Sequence, residues 1–429
     1  MASGINRFGK AIRQVSLQLL VVFVLLEISL RMLPSVISPA WLIHFNSNIR
    51  SEVIEKLGLN SKSAGFQLER SDGGRSIDLL PPNQKIHVRA DGIDVAQGAI
   101  EEVVTDGFGF CNTAGIDVKS IDVLAVGDSF TWCTTLPATA AWPALLTELS
   151  DKVVYNAGLS GVGFHEYLEL ARFILPHMAP KTLVVAIYAG NDLLNAHGTT
   201  EYKVAMQRGD VDPEIAAMPT FEDRGALGKL YYLLIEKSLL GKYSYVVNVS
   251  GSLVLAAKHW LIGRKIYQRS ELVNINFRYT VTLGDGQKVS FNPYNLDRNE
   301  LLGAYQLARG ELSASLWDDP VKRLEKLQRD ENLEVVIVLI PSAHTAYHNS
   351  SNFEDSNAKP ALLDFHEHQS QYLALKSANN GWKYQDLAGS FIESVERTNK
   401  LLYFPGNLHL TESGHNVVAR EVLKLLLSR

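Results

Sequence analysis

Ile121-Asp122-Val123-Leu124-Ala125-Val126-Gly127-Asp128-Ser129-Phe130 is the stretch that decides the fold. Its apolar residues run on without polar alternation, so a strand with one wet face is ruled out. The pattern is that of a strand covered on both faces, as in a parallel sheet. The run stops in Gly-Asp-Ser, small and polar residues that favour a turn. Working outward, the same texture returns at Lys152–Tyr155, Leu183–Tyr188 and Leu333–Ile340, and more weakly at Trp382–Leu387. Helical periodicity fills the gaps at Ala140–Leu149, Glu166–Leu175 and Asp319–Gln328, and a last helix at Glu412–Leu427 closes the series. Strands alternating with helices predict an α/β layered domain with a parallel sheet.

The core pattern is interrupted. Residues 36–65 read as a mixed helical linker, and Phe66 to Phe110 as strand-rich, with short alternating runs at Lys85–Arg89 and Ala99–Thr105. An insertion separates Asn195 from Asp330. Within it, the apolar stretch Tyr243–Ala257 lies between Lys242 and Lys258. At fifteen residues it is short for a membrane span and reads as a core or lid helix. Tyr279–Leu283 and Gln287–Phe291 flank Gly284-Asp285-Gly286 and predict a β-hairpin. The Gly-Asp-Gly lacks the other ligand positions of a calcium loop. The expected organisation is a basic stub and anchor at 1–35, a linker and β-rich lead-in at 36–118, and a first core half at 119–195. The insertion, helical with a hairpin and a possible lid, occupies 196–330, and the second core half 331–429.

Arg7, Lys10 and Arg13 precede an apolar run from Val15 to Leu33, broken late by Glu27 and Arg31. Nineteen residues at about 1.5 Å each span about 28 Å, one hydrocarbon thickness. Basic residues on the N-terminal side favour an N-in signal anchor with everything after Pro34 exported. A cleaved signal peptide and a buried soluble helix are the competing readings, the first lacking a small-x-small site after the run. Glu27 and Arg31 stand four apart on one helical face and can pair near the outer interface. The 429 residues carry 46% hydrophobic side chains, 20% charged ones and a net charge of −5, which excludes disorder and leaves no concentrated basic face for nucleic acid. Two cysteines exclude a disulfide scaffold and a Cys-rich zinc site. They flank the first core strand, Cys111 before and Cys133 after, so export permits a bridge, with two buried thiols as the alternative.

Three apolar strands end in polar, Gly-containing turns: Gly127-Asp128-Ser129-Phe130, Asn156-Ala157-Gly158-Leu159-Ser160-Gly161 and Gly190-Asn191-Asp192. A fourth block, His409-Leu410-Thr411-Glu412-Ser413-Gly414-His415, precedes the last helix. In open α/β sheets ligands bind outside the carboxyl ends of strands, so the coincidence carries weight. The Gly-x-Ser-x-Gly elbow of α/β-hydrolases is absent, because Thr131 stands where its second Gly would be.

Together these four blocks resemble the SGNH/GDSL hydrolases in chain order and spacing, over residues 119–195 and 331–429. The resemblance implies a flavodoxin-like three-layer α/β/α fold with strands ordered 2-1-3-4-5. It implies Ser129 as nucleophile and His409 as general base. Oxyanion donors would be the backbone N–H groups of Ser129 and Gly161 and the side chain of Asn191. Serine needs such a base before it attacks, and each oxyanion donor is worth about 10²–10³ in rate. No metal or organic cofactor is implied. One anchor plus a large insertion is similar to bacterial proteins of envelope-polysaccharide loci, including alginate O-acetylation proteins. That likeness implies a single-pass inner-membrane protein with its catalytic domain on the periplasmic or extracellular side, in reach of envelope-polysaccharide machinery. The implied activity is a serine esterase or O-acyltransferase on O-acylated, chiefly acetylated, polysaccharide. A lipid or small-ester hydrolase and a non-catalytic glycan-binding or assembly protein are the alternatives.

One departure concerns the histidine. The family places an aspartate two or three residues before it, where this chain has Asn407 and Gly406. Asn407 can orient the ring through its carbonyl oxygen but brings no charge. In a serine-protease triad the comparable change costs about 10⁴ in rate, so a working dyad of reduced power is expected. Asp128 and Asp192 read as turn or helix caps, and His415, inside the last helix, as a surface or packing residue. His366-Glu367-His368 lacks the i,i+4 spacing of a helical zinc pair and reads as a solvated helix face.

Overall fold

The computed structural model describes residues 2–37, 45–56, 67–83, 85–89, 100–134, 136–208, 229, 232–254, 279–291, 296–353, 357–406 and 408–428. Five strands form its central sheet: β1 (Val123–Gly127), β2 (Val154–Asn156), β3 (Thr182–Tyr188), β4 (Glu334–Ile340) and β5 (Lys383–Asp386). All neighbouring pairs are parallel and the order is 2-1-3-4-5, as expected. β3 and β4 pair along their whole length, from Thr182 opposite Glu334 to Tyr188 opposite Ile340. Every residue of β1 and β3 is buried, odd and even alike, so both faces of the sheet are covered. That is why their sequences show no alternation. β5 lies at an edge and is only half-buried, which lets Lys-Tyr-Gln-Asp serve as a strand.

Among the helices that accompany these strands are α1 (Trp142–Leu149), α2 (Phe164–Ile174), α3 (Asp192–Arg208), α4 (Asp318–Glu331), α5 (Ala358–Asn380), α6 (Ala388–Thr398) and α7 (Glu412–Leu427). α7 packs on α1 and α6, and α4 packs on α2. Local chemistry sets their ends. The Gly163 N–H donates to Glu166 Oε2 at 3.0 Å to start α2. Thr411 Oγ1 accepts the Gly414 N–H at 3.3 Å to start α7. α4 and α6 stop on left-handed asparagines, Asn332 and Asn399, both at φ 52°.

The lead-in contributes two antiparallel pairs, Gln67–Leu68 with Ile77–Asp78 and Lys85–Arg89 with Ile100–Val104. The expected hairpin forms from Tyr279–Thr282 and Lys288–Phe291, turning at Gly286 with φ 84°. Ser351–Phe353 adds a third, unexpected strand to it.

By internal packing the chain divides into two units, one of Met1–Ser61 with Glu214–Asn274 and the other of Lys62–Pro213 with Ile275–Arg429. The second holds the central sheet. The first begins with helix Ala2–Met32, in which Arg13–Met32 is long and apolar enough to cross a membrane. It also holds helix Ser47–Lys56, a π-helical turn Tyr232–Lys237, and short helices Leu239–Tyr243 and Tyr245–Val254. Its small core is Ile37, Phe45, Ile49, Val53 and Tyr245.

Candidate active site

The site grows from the carboxyl end of β1. A Cβ on Gly127 would sit 2.1 Å from Thr131 Oγ1 and 2.9 Å from the Ala186 carbonyl oxygen, so only glycine lets the chain turn here. Ser129 follows in that turn, 7% exposed, with its Oγ 3.0 Å from His409 Nε2. Phe130 packs against the face of the imidazole. Its ring stacks on Tyr188 at 3.6 Å between centroids and on His409 at 5.1 Å.

His409 lies in a narrow excursion before α7, closed by a bridge between Tyr403 and Leu410. The Phe404 N–H donates to the His409 carbonyl at 2.9 Å, and the Thr411 N–H to that of Leu402 at 2.9 Å. Leu408, immediately before the histidine, is fully buried at φ 63°. A leucine in that region costs about 1–3 kcal/mol and persists only where its surroundings dictate it. Asn407 lies outside the described residues.

Gly161 and Asn191 occupy the carboxyl ends of β2 and β3, the strands on either side of β1. Gly161 has φ 81° with open space where a Cβ would project. Asn191 caps α3, its carbonyl accepting the Asn195 N–H at 2.8 Å. The four sequence blocks therefore meet at one end of the sheet.

Beneath the serine lie two buried carboxyls. Asp128 Oδ1 accepts the Phe130 N–H at 2.9 Å. Asp192 accepts the Tyr188 N–H at 2.9 Å and the Tyr167 hydroxyl at 2.7 Å. Burial pushes Asp128 up to about 7. Burial, then the neighbouring Asp128, raises Asp192 well above the usual carboxylate range. Both carboxyls hold turns, as expected of caps. His415 is buried, and its Nδ1 accepts the Trp142 N–H at 3.2 Å at the start of α1. Burial, helped by His409, drops it to about 3, so it stays neutral and serves packing. Cys111 and Cys133 are bridged, their Cα atoms 6.1 Å apart, which fixes the turn after Ser129 to the lead-in.

The expected solvated face at His366 is corrected. His366 is buried, and its Nε2 lies 2.9 Å from Asp386 at the end of β5. His368, two residues on, is exposed. Phe130, Tyr188 and Tyr167 went unread in the sequence, where the only signal for Phe130 was its place next to Ser129.

Asp72, His165 and Asp319 bring ligand-type atoms within 4.8 Å of one another. Asp72 Oδ2, however, already receives Arg70 at 2.6 Å, Lys203 at 2.8 Å and Arg323 at 3.2 Å. Burial opposes its ionisation, but His165, Arg70 and Lys203 together hold its carboxyl well below the usual range. These cations take up the charge a metal would need. The cluster is an ion-pair network joining the lead-in to α2, α3 and α4.

No family model matches the sequence, and no curated protein matches it. Solved structures similar to it include a catalytic variant of an acetylxylan esterase from Geobacillus stearothermophilus, 11% identical, covering 73% of this chain and 97% of that one with a TM-score of 0.33. Another is an extracellular lipase from Streptomyces rimosus, 13% identical, covering 71% and 98% with a TM-score of 0.32. A third is TesA, 14% identical, covering 71% and 98% with a TM-score of 0.34.

Proposed function

We propose that this chain is a membrane-anchored serine esterase or O-acyltransferase working through an acyl-enzyme on Ser129. The observation that carries the reading is the 3.0 Å contact between Ser129 Oγ and His409 Nε2 at the end of a buried parallel strand. Ser129 Oγ attacks the ester carbonyl carbon while His409 Nε2 takes its proton. The Ser129 and Gly161 N–H groups and the Asn191 amide meet the developing oxyanion. The imidazolium returns the proton to the leaving alkoxide, and water or a sugar hydroxyl then releases the acyl group. The substrate class, an O-acetylated envelope or exported polysaccharide, comes from the resemblance to polysaccharide O-acetylation proteins. The anchor is Arg13–Met32, and the basic residues before it favour an N-in topology that places the sheet-bearing unit on the periplasmic side.

The test is acetate release by the detergent-solubilised full chain from acetylated polysaccharide, beside short- and long-chain aryl esters. The expected result is acetyl release that Ser129→Ala and His409→Ala abolish. Preference for long acyl chains would turn the reading to a lipid esterase. Saccharide binding with no ester turnover, unaffected by Ser129→Ala, would contradict catalysis and favour a binding or assembly role.

A further inference from the structure

We propose that residues 232–254 form a second membrane contact, an interfacial one, whose exposed apolar side chains enter the leaflet at the C-terminal end of the span. The proposal rests on reading Arg13–Met32 as a membrane span.

The contacts that place this segment come from the span itself. The Glu27 carboxylate accepts Ser244 Oγ at 2.8 Å, the Tyr245 N–H at 3.0 Å and the Val246 N–H at 3.1 Å, capping helix Tyr245–Val254. Arg31 pairs with Glu27 at 2.9 Å, donates to the Tyr243 carbonyl, and lies 4.8 Å over the Tyr245 ring. Two charged side chains inside a span are costly unless satisfied there. Here the insertion's own backbone satisfies them.

That pairing also fixes depth. Glu27 comes five residues before Met32, the end of the span. At about 1.5 Å per residue, residues 243–246 therefore sit about 7.5 Å inside that end. Interfacial helices bury their apolar faces about 5–10 Å into the same boundary.

The side chains suit that depth. Leu239 is 73% exposed, Tyr243 64% and Leu240 58%, with Leu233 and Leu234 exposed in the preceding π-helical turn. Single exposed leucines are ordinary, but a run of them over one short segment marks a contact surface. Polar groups face inward instead. Buried Asn248 accepts the Asn46 N–H at 2.6 Å and donates to the Gly241 carbonyl at 2.7 Å. Lys242 is exposed among the apolar side chains, and its stem can lie along them while the ammonium reaches the headgroups.

The experiment uses the full chain in phosphatidylethanolamine–phosphatidylglycerol vesicles. An environment-sensitive fluorophore is attached through Leu239→Cys, Leu240→Cys or, as reference, Val22→Cys. The native Cys111 and Cys133 are bridged and do not take the label. Lipids carrying quenchers at shallow or deep acyl positions report depth. The expected result is shallow quenching at 239 and 240 and deep quenching at 22. Deep quenching at 22 with no lipid quenching at 239 or 240 would overturn the proposal while the span stands, and would point to a protein partner or bare solvent. No quenching at 22 would overturn the span and the proposal with it.

Discussion

At Ser129 a strand-end hydroxyl meets an imidazole from 280 residues along the chain, with two buried carboxyls and a second histidine close by. Asp128, next to Ser129, is the most informative of these groups. Its carboxyl is raised from 3.8 to about 7 by burial, so the folded state keeps a proton that the unfolded chain sheds. Stability from this group is therefore full below about pH 4 and falls as pH rises toward about 7. Asp128→Asn keeps an acceptor for the Phe130 N–H and removes the titration. The expected outcome is a melting temperature that gains on the native protein between pH 4 and pH 8; parallel curves would contradict it. His415 supplies a contrasting case. His415→Leu leaves the buried Trp142 N–H without its acceptor and is expected to lose about 1–3 kcal/mol in urea unfolding while Ser129 stays reactive. Loss of reactivity in a folded variant would make His415 part of the chemistry.

The elements divide by how much of their surroundings their own sequence records. β1, β3 and β4 were legible because burial on both faces leaves a continuous apolar run that few other structures tolerate. Ser351–Phe353 was not, since three polar or singly apolar residues become a strand only by pairing with Tyr279–Val281. His366 was misread for a related reason. Its helix reads as polar from within, and the Asp386 that buries it comes from the end of β5. The serine and histidine blocks were readable as motifs, whereas the Phe130–Tyr188 stack that packs against the imidazole has no motif. The Cys111–Cys133 bridge closes a separation of 22 residues around β1. On the chain-entropy account it contributes about 3 kcal/mol. The double variant Cys111→Ala, Cys133→Ala should lower the urea midpoint accordingly, and an unchanged midpoint would show that the bridge constrains nothing.

Over the whole molecule, the insertion splits between two units. Part of it joins the N-terminal helix, while the hairpin and the helix Leu296–Ala308 stay with the sheet. The sequence could not display that division, because Glu27 and the backbone it caps lie 218 and 219 residues apart. The proposed chemistry is nonetheless local: Ser129 is proposed as an armed nucleophile although the histidine's neighbour is Asn407 rather than an aspartate. Intact-mass labelling of the solubilised full chain with a fluorophosphonate, followed by peptide mapping, tests it most directly. The account predicts a single adduct on Ser129 that disappears in Ser129→Ala and His409→Ala. An unmodified, folded native protein, or an adduct that survives Ser129→Ala, would contradict it.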